Sequence, residues 1–386
     1  MAAALLTAAG VATAADAGKI VVIAIDGYTP EVAAPLMETD GLPTLRGLAE
    51  RGVALEFDSF DWDFELRSSH TWETMSTGQP PDREVPGSED AHYETGGGLE
   101  APFLQEMLAE VGWSIAVIGW PCEDPAAWGD LVVTRDFACA PDDGYGVNWG
   151  TTRPAELKEE LAPLRVAGVD LADEAIADLV DGDPGGSPEN GSIVSGSVLL
   201  KEYYARDATL LAATRHVIET RGQPDLLMLF LNGIDECTRS YWGYMDPSGL
   251  PKPLDAEATQ MFRDLIPRYY ERVDRMIGEM IGSLDEGTTI VVCSGYAYRG
   301  PLMTKQGLKL GAEMRLNVGS LFAAGPRIRR GGEVDDAHIL DIAPSLLALA
   351  GAPVPMSMGG FVLTGIIDEE FMRRHLIDYV DDITIN

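Results

Sequence analysis

The chain has 386 residues, of which 46% are hydrophobic and 23% charged, so it is long enough for one large domain or two and too apolar for intrinsic disorder. Asp and Glu total 62 against 28 Lys and Arg, which gives a formal net charge of -34 at pH 7. A chain this acidic repels the phosphates of nucleic acids and anionic lipid surfaces, which excludes nucleic acid as its main partner. An acidic, lysine-poor surface also favours solubility in high salt, but a GC-rich coding genome gives the same preference for Arg.

The first 18 residues are an apolar, alanine-rich leader. Ala12-Thr13-Ala14 resembles a small-residue cleavage site, although no positively charged region precedes it. We expect a periplasmic or secreted protein if the leader is a signal peptide, and a cytoplasmic one if it is a flexible extension. No segment supplies about 18 consecutive apolar residues, so no transmembrane segment is predicted. The cysteines are dispersed, which excludes a Cys/His zinc site and leaves a Cys122–Cys139 disulfide open.

From Lys19 onward, buried-strand patterns alternate with amphipathic segments, which predicts an α/β fold with a mostly parallel sheet. Residues 142–206 are rich in Gly, Pro and acidic residues, so we interpret them as a cap inserted into a core of residues 19–141 and 207–386. The predicted strands are Lys19–Ile25, Ser114–Trp120, Asp225–Leu231, Thr288–Cys293 and Ser320–Ala324. The predicted helices are Pro43–Arg51, Ser68–Thr77, Asp255–Leu284 and Ile342–Ala350.

Three polar side chains occupy positions where an open α/β sheet binds ligands. Asp26 ends the first predicted strand, Asp235 follows the third strand and a turn, and Ser68 begins a predicted helix. A serine at a helix start is most simply an N-cap that accepts a hydrogen bond from an unpaired backbone N–H. The alternative is a nucleophile whose phosphoryl or sulfuryl adduct is stabilised by the helix dipole and free amides.

An ordered series of short motifs extends along the chain. They are Val22-Ile23-Ala24-Ile25-Asp26-Gly27, Leu42-Pro43-Thr44-Leu45, Ser68-Ser69-His70-Thr71-Trp72, Ser76-Thr77-Gly78-Gln79-Pro80, Gly233-Ile234-Asp235, Tyr241-Trp242-Gly243-Tyr244-Met245-Asp246-Pro247, Ile266-Pro267-Arg268-Tyr269-Tyr270-Glu271-Arg272-Val273-Asp274 and Asp341-Ile342-Ala343-Pro344-Ser345-Leu346-Leu347. Together they resemble the type I phosphodiesterase/nucleotide pyrophosphatase branch of the alkaline phosphatase superfamily, from about Lys19 to Ile367. The resemblance implies an alkaline-phosphatase-like α/β sandwich, with a mostly parallel sheet flanked by helices and an inserted cap.

The resemblance also implies a two-metal site, usually zinc, beside a Ser or Thr nucleophile. It assigns Ser68 as the nucleophile, Asp26 and Ser68 to one metal, and Asp235 to the other. Every family histidine ligand is replaced in this sequence, as is one carboxylate. The substituted positions are Arg239, Gly295, Tyr296 and Arg315, or Met314 if the register shifts by one residue.

These substitutions change the expected chemistry. Zinc prefers nitrogen or sulfur donors, so tight binding of two zinc ions is not expected, and no cofactor is predicted. Arg239 and Arg315 would place positive charge beside Asp26 and Asp235, which suggests an Asp–Arg network in place of metals; two solvated arginines are the alternative. Arg67, with these two arginines, would also suit a phosphate or sulfate ion.

Three functional hypotheses follow. The first is a catalytically inactive binding or scaffold subunit with an unknown protein partner, and the missing ligands favour it. The second is a phosphodiesterase- or phosphatase-type hydrolase of phosphoric or sulfuric esters, with Ser68 as nucleophile and one or two divalent cations (zinc, magnesium or manganese). The third is a metal-free phosphate- or sulfate-binding protein.

Overall fold

The computed structural model describes residues 18–59, 68–80, 101–121, 129–139, 152–185, 191–250, 252–300, 303–304, 307–308 and 314–383. The predicted leader therefore lies outside the described residues, apart from Gly18. Cys122 and Arg67 lie outside them as well. The Cys122–Cys139 disulfide and the contribution of Arg67 to an anion site remain predictions.

An eight-stranded sheet lies at the centre of the described chain. The described residues form fourteen strands, of which eight belong to this sheet and the other six pair in three two-stranded sheets. They are β1 (Ile20–Ile25), β2 (Val53–Asp58), β3 (Ile115–Ile118), β4 (Leu131–Val133), β5 (Thr152–Arg153), β6 (Leu226–Leu231), β7 (Thr289–Ser294), β8 (Ala297–Arg299), β9 (Met303–Thr304), β10 (Gly307–Leu308), β11 (Met314–Leu316), β12 (Val318–Ala324), β13 (Val354–Pro355) and β14 (Tyr379–Val380). In the large sheet their order is β2-β12-β7-β1-β6-β3-β4-β5. The β7-β1-β6-β3-β4 part is parallel, whereas β12 runs antiparallel to both its neighbours and β5 antiparallel to β4. The predicted mostly parallel α/β sheet is confirmed.

The helices pack on both faces of this sheet. They are α1 (Pro30–Glu38), α2 (Pro43–Arg51), α3 (Ser68–Thr77), α4 (Leu104–Glu110), α5 (Leu157–Leu161), α6 (Gly191–Arg221), α7 (Gly233–Met245), α8 (Ala256–Phe262), α9 (Leu265–Ile281), α10 (Ile342–Ala350) and α11 (Glu369–Arg374). Alternate residues of β1 enter different buried clusters, with Val21, Ile23 and Ile25 on one face and Ile20, Val22 and Ala24 on the other. The central strands are continuously hydrophobic because both of their faces are covered.

The single helix predicted over Asp255–Leu284 is two helices. α8 ends at Phe262 and α9 begins at Leu265. Pro267 explains the break, because its ring would clash with the carbonyl of Arg263 in a continuous helix and it has no N–H to donate. The apolar spacing was uninterrupted, so periodicity alone did not reveal the boundary.

The predicted cap boundary at Arg206 lies inside a helix. α6 runs from Gly191 to Arg221, and its buried side chains on both sides of that position belong to one hydrophobic cluster. This helix accounts for residues 191–206 of the predicted cap, and the division into core and cap stays a prediction. Among the described helices, none has the length and apolar character required to cross a bilayer.

The strand order brings the predicted site together. β1 lies between β7 and β6, so the residues that follow these three strands meet at one edge of the sheet. Asp26 follows β1, Gly295 follows β7, and α7 begins two residues after β6 ends. This edge is the place where the predicted ligands are found.

Candidate functional site

Asp26 accepts hydrogen bonds on both carboxylate oxygens. Ser68 Oγ donates to Oδ2 at 2.7 Å, and Trp72 Nε1 donates to Oδ1 at 2.8 Å. The two donors lie four residues apart on α3, so the helix presents them on one face. Asp26 itself is only 2% exposed, and these contacts supply the partners that a buried carboxylate requires.

Asp235 lies in the first turn of α7, and this helix begins at Gly233, inside the turn that the sequence predicts ahead of Asp235. Its Oδ2 accepts a hydrogen bond from Arg239 Nε at 2.9 Å, an ion pair set by the four-residue spacing along the helix. Its Oδ1 accepts hydrogen bonds from Tyr296 OH at 2.8 Å and from Tyr298 OH. The carboxylate is buried among donors of its own chain.

Tyr296 and Tyr298 form one aromatic pair over Asp235. Both are fully buried, and their rings meet edge to face with centroids 5.7 Å apart. Tyr298 lies in β8, where its backbone N–H donates to Thr29 Oγ1 at 3.0 Å. Arg315 pairs in register with Tyr298 from β11, but its side chain is outside the described residues. The Arg315 half of the predicted Asp–Arg network therefore remains a prediction.

Gly295 occupies the position where the family resemblance implies a carboxylate ligand. A Cβ placed on this glycine would lie far inside van der Waals distance of Thr71 Cγ2 on α3. The helix thus fills the space that a ligand side chain would need. Because the same helix carries Ser68 and Trp72, one element both supplies donors to Asp26 and closes the Gly295 position.

The two carboxylates belong to one local site. Gly27, with a φ of +72°, forms the turn after Asp26, and a Cβ on it would lie 3.0 Å from Asp235 Cα and 2.9 Å from Tyr298 Cε2. Only glycine accommodates this close approach at a positive φ without strain. The structure therefore brings Asp26, Ser68 and Asp235 together.

Arg239 is held by carboxylates on two sides. Besides the contact with Asp235, its Nη2 donates to Glu236 Oε2 at 2.8 Å. The Asp235–Arg239 ion pair forms one part of the predicted Asp–Arg network. Two nitrogens of the Arg239 guanidinium, Nε and Nη2, are thereby engaged, so a phosphate or sulfate ion would have to compete with these carboxylates for Arg239.

The residue types and contacts of the site do not fit one or two divalent cations. A metal ligand must offer a lone pair, and hydroxyl, indole and guanidinium hydrogens already take at least one acceptor site on each oxygen of Asp26 and Asp235, so a cation would compete with these donors. Within the described ranges, no group of three or more His, Cys, Asp or Glu side chains could hold a metal ion. The retained oxygen ligands are therefore engaged by other partners.

A further buried carboxyl group supports the helix that carries Asp235. Asp207 on α6 accepts hydrogen bonds from the backbone N–H groups of Asn232 and Gly233, each at 3.3 Å, and from Tyr269 OH at 3.0 Å. It satisfies backbone donors at the start of α7. Complete burial raises the pKa of Asp207 to about 6, against the lowering effect of these hydrogen bonds.

Sequence reasoning missed Trp72, Tyr298 and Asp207. The sequence did carry a signal for the first two. Trp72 lies one helical turn after Ser68, and Tyr298 lies two residues after Tyr296, the spacing that puts two side chains on the same face of an extended segment. Asp207 had none, since it is distant in sequence from the helix start that it contacts.

Comparisons with known proteins agree with this arrangement of elements. The family model for type I phosphodiesterase/nucleotide pyrophosphatase matches residues 88–298, more than half of the chain. A solved 2-O GAG sulfatase is similar, with a TM-score of 0.53 and 12% sequence identity, and the match covers 90% of this chain and 73% of the sulfatase chain. A phosphonate monoester hydrolase from Silicibacter pomeroyi is similar as well, with a TM-score of 0.51 and 15% sequence identity, and the match covers 92% of this chain and 78% of the hydrolase chain. A search of curated protein sequences finds no match. The structural likenesses show an alkaline-phosphatase-like fold.

Proposed function

The chain belongs to the type I phosphodiesterase/nucleotide pyrophosphatase family, and we propose that it is a metal-free binding or scaffold member that does not hydrolyse phosphate or sulfate esters. The alkaline phosphatase superfamily describes the fold of the chain. The proposal adds what the candidate site does.

One observation carries the proposal: both oxygens of Asp26 and both oxygens of Asp235 accept hydrogen bonds from side chains of the chain itself. Hydrogen bonds to charged groups contribute about 1.5–3 kcal/mol each, so a cation would have to displace several of them. Metals in such a site polarise the ester and stabilise the leaving oxygen. Here, Tyr296 and Arg239 occupy positions where the resemblance implies histidine ligands, and Thr71 fills the Gly295 position.

Elemental analysis of the purified full chain, combined with activity assays, tests this function. We expect less than one equivalent of zinc, magnesium or manganese, and no phosphomonoesterase, phosphodiesterase or sulfatase turnover when these ions are added. Stoichiometric metal would contradict the proposal. Turnover that is lost in Ser68→Ala but kept in Ser195→Ala, an exposed serine on α6, would contradict it as well.

A hydrolase that uses Ser68 is the second candidate, favoured by the 2.7 Å hydrogen bond from Ser68 Oγ to Asp26 at the start of α3. Asp26 would accept the serine proton, and the backbone N–H groups of the helix start would face the developing negative charge. The same assays separate the two functions, because this one requires turnover that depends on Ser68.

A further inference from the structure

A cavity of about 270 Å³ lies beside the candidate site. Its position follows from the chain, since Pro30 comes four residues after Asp26 and Ala297 directly follows Tyr296. The walls are mostly apolar, with carboxylates from α1 and β2. The lining residues are Pro30, Glu31, Ala34, Glu56, Ala297, Leu316 and Val318.

Glu31 and Glu56 bring two negative charges to this cavity. Neither side chain has an ion pair or a hydrogen bond within the described part of the chain, in contrast to Asp235, which pairs with Arg239. Glu31 lies in the first turn of α1, where the helix dipole favours a negative charge. Glu56 is exposed on β2 and has no such structural explanation. Two like charges that share one cavity favour a bound cation.

The size and the walls of the cavity narrow the ligand further. Pockets for drug-sized molecules measure roughly 300–1,000 Å³, so this one suits a single long side chain better than a nucleotide. Apolar walls fit the methylene stem of a basic side chain, whose charged end then reaches the carboxylates. An ammonium group has three rotatable donors and can be shared between two carboxylates, whereas the planar guanidinium of arginine suits one carboxylate in a bidentate pair.

We propose that this cavity binds a lysine side chain from a basic peptide segment of a partner protein. The proposal rests on the scaffold function above and supplies the chemistry of its partner. The net charge of -34 adds long-range attraction for such a segment. The cavity determines where the segment docks, and the two carboxylates determine which residue type enters.

Fluorescence anisotropy with the full chain and a labelled peptide of repeating Ala-Lys-Ser tests the proposal. The double variant Glu31→Gln/Glu56→Gln is expected to weaken binding about tenfold, as two lost ion pairs predict. The control Glu38→Gln/Glu286→Gln removes the same charge from exposed sites outside the cavity and should change affinity less than about twofold. An equal loss in both double variants would show a general charge effect and overturn the proposal.

A second pair of measurements tests the cavity without changing the charge of the protein. Ala34 is exposed on α1, so Ala34→Trp can fill the cavity without repacking the core. We expect this variant to lose the same part of the peptide affinity that Glu31→Gln/Glu56→Gln loses. Acetylation removes the charge of the lysine side chain. We therefore expect a peptide with acetylated lysines to bind the original protein no more tightly than it binds the Glu31→Gln/Glu56→Gln variant. Unchanged affinity in Ala34→Trp, or undiminished binding of the acetylated peptide, would overturn the assignment. Metal content and turnover, measured on the same samples, report separately on the proposed function.

Discussion

At the scale of single residues, the hydroxyl groups of Tyr296 and Tyr298 have the clearest role. Both donate to one oxygen of Asp235, a carboxylate that is 3% exposed. A buried acceptor that loses its donors keeps its desolvation penalty, so these hydroxyls matter more than exposed ones. Asp235, to which the family resemblance assigns a metal-ligand role, therefore contributes through these hydrogen bonds to the free energy of unfolding.

We expect Tyr296→Phe/Tyr298→Phe to lower the free energy of unfolding by about 1–3 kcal/mol, because it removes both hydroxyl donors from Asp235 Oδ1. Urea denaturation followed by circular dichroism measures the change. Tyr244→Phe/Tyr379→Phe is the matched control and should stay within about 0.5 kcal/mol of the original protein, since both side chains are partly exposed. An identical unfolding midpoint for the two double variants would contradict the role of this pair.

Asp207 predicts a pH effect on stability. Burial raises its pKa from an ordinary value of 3.8 to about 6, so the folded chain holds a proton that the unfolded chain releases between these values. This group therefore stabilises the fold fully below about pH 4, and its contribution falls as the pH rises through about 6, by at most about 3 kcal/mol.

Asp207→Asn should remove this pH dependence. Relative to the original protein, the variant should become more stable as the pH rises from about 4 to about 7, because asparagine stays neutral at both values. Urea denaturation at the two pH values measures the difference. Asp336→Asn, at an exposed turn, is the control and should retain the original dependence on pH. A parallel loss in both variants would exclude Asp207 as the cause.

At the scale of secondary-structure elements, α3 connects the two halves of the candidate site. Its first turns present Ser68 and Trp72 to Asp26 and press Thr71 against Gly295 at the end of β7. A glycine in this position is required by the close approach of the helix, not by its φ angle. The absence of a side chain there and the hydrogen bonding of Asp26 thus have one structural cause.

The contact between α3 and β7 can be tested with a rescue experiment. Gly295→Ala should destabilise the protein by about 1–3 kcal/mol, because the new Cβ overlaps Thr71 Cγ2. Thr71→Ala removes that methyl group and leaves its own Cβ 3.4 Å away, so the double variant should recover most of the loss. A double-mutant cycle of thermal unfolding measures the coupling, and additive losses would show that the two residues do not share this contact.

At the scale of the whole molecule, the excess of carboxylates dominates. Even if every basic residue were paired, more than half of the 62 acidic side chains would have no cation. Repulsion among these charges destabilises the compact state and is reduced by salt, whose screening length falls from about 10 Å at 0.1 M to about 3 Å at 1 M.

We expect the melting temperature to rise by at least about 2 °C when sodium chloride increases from about 0.1 M to about 1 M. Differential scanning calorimetry measures the change. The variant Glu38→Gln/Glu286→Gln/Asp336→Asn lowers the negative charge at exposed positions and should show a smaller rise. A melting temperature that falls with salt would show that ion pairs outweigh the general repulsion.

The sequence alone determined the alternation of strands and helices and the positions of Asp26, Ser68 and Asp235 at one sheet edge. These features depend on local periodicity and on the rule that parallel strands end together. It also identified Arg239, Gly295 and Tyr296 as substitutions. What replaced the ligands was decided only by the tertiary structure.

Trp72 reaches Asp26 across 46 residues of chain, and Tyr298 reaches Asp235 across 63. Thr71 contacts Gly295 from the other half of the fold. No local pattern encodes such contacts, because they depend on how a helix and two strands pack once the core is formed. The sequence identified which ligands were missing, and the packing of α3 and β8 determined that hydrogen-bond donors take their place.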